Sequence, residues 1–399
     1  MTMKRRSFLY GMGAGLATLL ARPNLRAFGA PGPSHAKTVV IVMQRGAVDG
    51  LAMVPPHGDP NLAKLRPSLT AKTTGTVDLD GHFGLHAGLA ALAPHWKEKR
   101  LAIVPAVGMT GATRSHFEAQ DYLEQGGIAS DTGWANRLLA HRPHPGDATA
   151  IAVGNTLPRS LAGTAPALVL ERNGEVGIAR NAPPPRRTQI IAAFDELYAA
   201  GTDPFSITAR RALSSAAHIE TALAAQPAPA DPPKGPAGQA LITAARLIRA
   251  DVGAELILID TNGWDTHVNE AQRLDRELAQ LGAAIAGFAT ELGDRLADVT
   301  LVTISEFGRT VHENGTGGTD HGTATMSLVL GGNVNGGRIV GTFPGLADDQ
   351  RFEGRDLAIA TDSRDLLADV LTGTLGLAAA DLAAIFPDHA PKSLGLLRS

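Results

Sequence analysis

The sequence predicts an α/β protein, a three-layer α/β/α sandwich on a mostly parallel sheet. Three observations carry the prediction. Several short runs are apolar at almost every position, the pattern of strands buried on both faces. They alternate with longer stretches of helical pattern, the order that builds a parallel sheet covered on both sides. Polar clusters follow the apolar runs, and in such sheets ligands bind outside the carboxyl ends of the strands.

In chain order, the first segment is not part of that sheet. A charged head, Lys4-Arg5-Arg6-Ser7-Phe8-Leu9, precedes an apolar stretch from Tyr10 to Ala21 and small residues at Ala27, Gly29 and Ala30. This is the layout of a secretory signal, and the paired arginines make it the twin-arginine kind. The apolar stretch, about 12 residues, is shorter than the roughly 20 that cross a bilayer. Residues 1–30 are therefore expected to be a signal peptide, with the twin-arginine translocase as partner and the periplasm as destination. A retained membrane anchor is the alternative, because no perfect cleavage tripeptide is present. Residues 31–36, rich in Pro, Gly and Ser, read as a linker, and 37–399 as a single domain.

Lys37 to Met43 is the first apolar run, and Leu101 to Val107 the second, with a helix expected between them at 86–97. Two shorter strands are expected around 150–153 and 167–170. From about 187 to 250 the pattern is helical and Ala-rich, broken by the Pro-rich stretch 226–237, and reads as an insertion. Ala254 to Asp260 and Val299 to Ser305 are the next strands, separated by a long helix at 268–296. Residues 326–331 and 337–342 read as a hairpin turning through Gly331-Gly332-Asn333, and 362–385 as helix.

Composition narrows the function classes. Hydrophobic residues make up 44% of the 399 and charged residues 19%, enough apolar material for a large core. A net charge of -3 without a basic stripe excludes nucleic acid as the expected partner. There is no cysteine, so neither disulfides nor thiolate metal ligands are available. No segment after the signal is long and apolar enough to span a membrane.

The chemistry sits after the strands. Asp49 lies between Gly46 and Gly50; Arg114-Ser115-His116 follows the second strand; Asp265-Thr266-His267 follows the strand at 254–260. Glu306-Phe307-Gly308-Arg309 follows the strand at 299–305, and Asp320-His321 lies just beyond. The topology puts these at one sheet edge, where Asp, Glu and His together suit a divalent metal with N and O ligands. A hydroxyl beside such a metal becomes a nucleophile, and Ser115 is the best-placed one. Arg114 or Arg309 could hold an anionic oxygen group. Structural readings stand beside these. Asp49 suits a turn, Ser115 with Glu118 has capping-box spacing, Asp265 and His267 could cap the next helix, and Glu306 could simply pair with Arg309. A serine-protease arrangement is not expected: adjacent Ser115 and His116 point apart, and there is no G-x-S-x-G elbow.

These motifs carry a resemblance over nearly the whole chain. Asp49-Gly50-Leu51, Arg66-Pro67-Ser68-Leu69, Phe83-Gly84-Leu85-His86, Arg114-Ser115-His116-Phe117-Glu118 and Thr132-Gly133-Trp134 are five of its marks. Gly263-Trp264-Asp265-Thr266-His267, Ser305-Glu306-Phe307-Gly308-Arg309-Thr310 and Gly318-Thr319-Asp320-His321-Gly322 complete them. Together with the signal they resemble the bacterial family labelled domain of unknown function 1501, itself similar in pattern to the alkaline phosphatase and sulfatase superfamily. The resemblance implies an alkaline phosphatase-like fold and one or two divalent ions (zinc, manganese or calcium). Asp49, Asp265, His267, Glu306, Asp320 and His321 would be the ligands, with Ser115 as nucleophile and a small anionic ester as substrate. The departure is Phe307, which stands where the superfamily places a metal-binding His, with Glu306 in place of Asp; His312 or His116 would have to substitute. The implied function is a metal-dependent hydrolase of phosphate or sulfate esters. The alternative is a non-catalytic periplasmic binding or assembly protein on a degenerate version of the fold.

Overall fold

The computed structural model describes residues 36–72, 75–142, 149–175 and 182–398. The expected signal peptide and all but the last residue of the linker lie outside the described residues.

Strand β1 (Thr38–Arg45) shows why the first run has no polar residue between Val39 and Met43. Val40 and Val42 enter one hydrophobic core, and Val39, Ile41 and Met43 enter another. Side chains alternate across a strand, so a strand feeding two cores must be apolar throughout. β2 (Leu101–Gly108), β3 (Ala150–Val153) and β6 (Val299–Ile304) are likewise buried at every residue, β6 with two threonines, Thr300 and Thr303, among them. The other strands of the main sheet are β4 (Leu168–Leu170), β5 (Leu256–Asn262), β7 (Thr325–Gly331), β8 (Arg338–Ile339) and β9 (Thr361–Asp362).

The nine-stranded sheet has the order β8-β2-β7-β6-β1-β5-β3-β4, with β9 also pairing β2. β1 runs parallel to β5 and β6, β3 parallel to β4 and β5, and β8 and β9 parallel to β2. Only β7 runs the other way, antiparallel to both β2 and β6. The expected hairpin at 326–342 is therefore corrected. β7 and β8 are not partners; each pairs with β2, on its two sides. The Gly331-Gly332-Asn333 turn carries the chain across β2's end instead of folding β8 back on β7.

Helices cover both faces. They are α1 (His116–Glu124), α2 (Trp134–His141), α3 (Pro184–Ala199), α4 (Pro204–Ala224), α5 (Gly235–Arg249), α6 (Glu270–Leu292), α7 (Ser363–Leu375) and α8 (Ala379–Ile385). α5 and α6 pack with Val40 and Val42; α2, α7 and α8 pack with Val39 and Ile41. Each fully buried Leu or Ile in these layers contributes about 1.5–3 kcal/mol relative to exposure. Of the helical stretch 187–250, α5 belongs to the main core, while α3 buries only Phe194 among its described side chains. The helix expected at 86–97 is a 3₁₀ segment, Ala87–Leu92, followed by one α turn, Ala93–Lys97. No helix among the described residues is long and apolar enough to cross a membrane.

Candidate metal centre

Because β1, β2, β5 and β6 run the same way, their carboxyl ends share one edge, and the loops that follow meet there. After β2, the chain turns through Thr113–Ser115 and α1 starts at His116. After β5, the loop 263–267 is anchored by its alternate residues. Trp264 is buried with its Nε1 donating to Thr261 Oγ1 (3.0 Å), and Thr266 Oγ1 donates to Glu270 Oε2 (3.0 Å). Asp265 and His267 are left facing the edge. Past β6, Arg309 and His321 pair through their backbones, which folds the 317–322 loop back over the same place. Two glycines permit the crowding. A Cβ on Gly46, at φ +115°, would meet Asp265 N at 2.7 Å, and one on Gly318 would meet Thr266 O at 2.3 Å.

His116, His321 and Asp265 converge, and His267 stands beside them, hydrogen-bonded to His321. His267 Nε2 lies 3.0 Å from His321 Nε2 and 3.0 Å from Asp265 Oδ1. His321 Nε2 lies 3.4 Å from Asp265 Oδ1, and His116 Nε2 lies 3.6 Å from Asp265 Oδ2. Ligand atoms sharing one tetrahedral ion at about 2.0–2.1 Å stand roughly 3.3 Å apart. His116, Asp265 and His321 each offer a ligand atom within 4.8 Å of the others.

The other nitrogen of each ring is already held. His116 Nδ1 bonds Glu306 Oε1 (2.8 Å), His267 Nδ1 bonds Asp320 Oδ1 (3.1 Å), and His321 Nδ1 bonds the Arg114 carbonyl (2.9 Å). Metal-ligating histidines have this outer support, which fixes the tautomer and aims Nε2 at the ion. His116 Nε2 is moreover buried with no hydrogen-bond partner. A buried ring nitrogen without a hydrogen-bond partner is costly until a ligand or ion engages it, and an ion would do so at the expense of any proton it carries. The donor set, nitrogen and carboxylate without sulfur, fits zinc or manganese.

Charges around the centre are arranged by burial and pairing. The hydrogen bond to Glu306 holds His116 above the usual histidine range. Burial pushes His321 down. Burial opposes ionisation of Asp265, yet the Arg309 hydrogen bond and charge keep its carboxyl below the ordinary range. Glu306 is buried too, but His116 and Gln120 hold it ionised. It also accepts from Gly46 N and Gln120 Nε2, both at 2.8 Å.

The expected site residues therefore divide. Asp265, His267 and His321 come together, and His116 joins them. Glu306 and Asp320 stand one step back, each orienting a histidine. Asp49 lies in a different buried group, ion-paired to Arg66, with its Oδ1 accepting from Leu51 N (3.2 Å). Arg66 also donates to the Val311 and Thr310 carbonyls (2.8 and 2.6 Å), so a guanidinium takes the partner role expected of a metal. Arg309 Nη1 donates to Asp265 Oδ1 (2.8 Å), while Arg114 turns to Asp356 (2.8 Å) and Glu353 (2.6 Å). Ser115 takes the position before α1, but its side chain makes no capping bond. His312 is bonded to Arg351 (2.8 Å) and is not part of the cluster. Phe307 stacks on His116 with centroids 5.0 Å apart and is 5.2 Å from His321, flooring the centre with an apolar ring. In the sequence Arg66 is only part of a family mark, with no site role, and nothing points to Glu270 or Gln120 at all. Burial of a charged pair was the missing signal, and no local pattern shows it.

Fold and site thus define a class: an α/β protein with a histidine-rich candidate metal centre at the carboxyl edge of a mostly parallel sheet. The chain belongs to the family described as "Protein of unknown function (DUF1501)", whose profile matches residues 104–379. No curated protein matches it significantly. Among solved structures it is similar to the C-terminal periplasmic domain of EcEptC from Escherichia coli, solved in complex with Zn, at 11% identity over 78% of this chain and 77% of that one, TM-score 0.31. It is also similar to a Vibrio parahaemolyticus protein in the alkaline phosphatase superfamily, at 10% identity over 83% and 69% of the chains, TM-score 0.31. The alkaline phosphatase of the Antarctic bacterium TAB5 matches at 10% identity over 75% and 92%, TM-score 0.28. The architecture rests on the chain's own strand order, not on these scores.

Proposed function

We propose that the protein is an exported, metal-dependent hydrolase of phosphate or sulfate esters, working at a centre formed by His116, His267, His321 and Asp265. The observation that carries this is the convergence of His116, His321 and Asp265, with His267 beside them and every Nδ1 held from behind. When bound, a divalent ion supplies Lewis acidity there and favours the ionised form of a nearby hydroxyl. Ser115 is the nucleophile: the carbonyl before it holds His321 and the ring after it is His116. Its Oγ forms the bond to phosphorus or sulfur as the ester's alcohol oxygen leaves and takes up a proton; water then releases the acid and restores Ser115. Arg309, buried and bonded to Thr319 and Asp265, acts behind the centre, holding Asp265 in place and ionised.

Hydrolysis of 4-nitrophenyl phosphate and 4-nitrophenyl sulfate by protein loaded with zinc, manganese or calcium tests this. Turnover is expected, falling by on the order of a hundredfold or more in Ser115→Ala. No turnover of either ester by a form that holds metal contradicts it. Phe307 favours the second reading, a binding or assembly protein, because its ring fills the floor where a further ligand would stand. Export through the twin-arginine route rests on residues 4–30. A reporter fused to residues 1–36 should reach the periplasm, and should fail to do so with Arg5 and Arg6 changed to Lys.

A further inference from the structure

Beside the metal centre, at the carboxyl ends of β1, β3 and β5, lies a cavity of about 430 Å³. Its walls include Arg45, Gln120, Asn155, Arg159, Arg172 and Asp260. The volume is within the range of sites that hold small molecules. Two of its arginines are already matched. Arg45 pairs with Glu124 (2.8 Å) and Asp260 (3.0 Å), and Arg159 reaches Asp121 (3.5 Å) and the Ser130 carbonyl (3.3 Å). Arg172 is different. It has no carboxylate or carbonyl for its guanidinium among the described residues, and its Nε is buried without a hydrogen-bond partner. That Nε is enclosed by protein, so an acceptor in the cavity would meet the rest of the Arg172 guanidinium, whose positive charge has no ion-pair partner among the described residues.

The cavity is also wired to the centre. Arg45 Nη1 donates to Gln120 Oε1 (2.9 Å), and Gln120 Nε2 donates to Glu306 Oε1 (2.8 Å), the carboxylate that orients His116. Gln120 therefore stands between the two, a wall of the cavity and one hydrogen bond from Glu306.

We infer that the cavity is an anion subsite, in which Arg172 receives a second acidic group of the substrate: a carboxylate, sulfate or phosphate on the part distant from the ester. Asn155 and the other polar walls suit hydroxyls on the intervening carbons. The link to substrate rests on the hydrolase reading; the anion site itself does not. Its test therefore avoids turnover. Inorganic sulfate is titrated by calorimetry into the chelator-treated mature protein at low ionic strength, with Arg172→Gln, Arg172→Lys and His321→Ala beside it. The expected result is one sulfate per chain, weakened about tenfold or more by Arg172→Gln, less by Arg172→Lys, and unchanged by His321→Ala. Circular dichroism confirms that the variants fold. Absence of sulfate binding, equal binding by Arg172→Gln, or loss of binding in His321→Ala, which places the anion at the histidines, would each overturn the subsite. None of these outcomes bears on whether the metal-loaded protein hydrolyses esters.

Discussion

At the residue scale the most unusual group is Glu270. It is fully buried, with Oε2 accepting from Thr266 and Thr319, while Oε1 faces no donor. Burial, then the neighbouring charge of Asp49, raises its carboxyl well above the usual range, while the Arg66 charge keeps Asp49 ionised against burial. A protonated Glu270 beside an ionised Asp49 would satisfy both acids. The sign of the linkage follows. Below the reference value of 4.5 both folded and unfolded chains hold the Glu270 proton, and no penalty exists. As pH rises above it, the unfolded chain ionises while the folded one does not, so stability falls with pH. Glu270→Gln keeps a donor and an acceptor in place without the proton. It is expected to gain melting temperature relative to wild type progressively from pH 4.5 to pH 8; melting curves that stay parallel across that range would contradict a protonated Glu270.

The same scale shows what the sequence revealed about the site and what it hid. Asp265, His267 and His321 were legible because each stands in a loop that follows an apolar run, where topology brings loops together. Glu306 and Asp320 were legible as participants but not as supports, since direct and outer ligands are chemically alike and differ only by a few ångströms. His116 was legible only as a substitute: it opens α1, and capping spacing from Ser115 to Glu118 gave that turn a structural account. Asp49 looked like a ligand because its partner, Arg66, is distant in sequence and buried.

At the scale of elements, the centre depends on close approach of backbones. Gly46 lets the loop after β1 pass under Asp265 while its N–H donates to Glu306. Gly46→Ala adds a Cβ at positive φ against Asp265 N. It should cost about 1–3 kcal/mol of stability and also weaken metal binding, measured by denaturant unfolding with and without zinc. A variant as stable as wild type with unchanged zinc response would show that the loop need not be held so closely. Strand existence was readable for β1, β2, β5 and β6 because burial on both faces makes the runs apolar at most positions, with Thr300 and Thr303 the buried exceptions in β6. Pairing was not readable: Thr325–Gly331 and Arg338–Ile339 are joined by a turn-like Gly-Gly-Asn, yet the longer-range fit of β7 between β2 and β6 won.

At the scale of the whole molecule, a mostly parallel sheet with two cores holds four loops at one edge, and the polar residues of those loops meet as two imidazoles and a carboxylate, with a third imidazole beside them and a cavity alongside. The central claim is that this cluster binds a divalent ion. Metal content per chain, by elemental analysis of protein purified without added metal or chelator, tests it most directly, with a His116→Ala/His321→Ala double variant measured in parallel. The account predicts close to one zinc or manganese per chain, lost in the variant, and a melting temperature that falls on mild chelation of the wild type only. Absence of metal from the native protein, even after incubation with zinc, manganese or calcium, would contradict it.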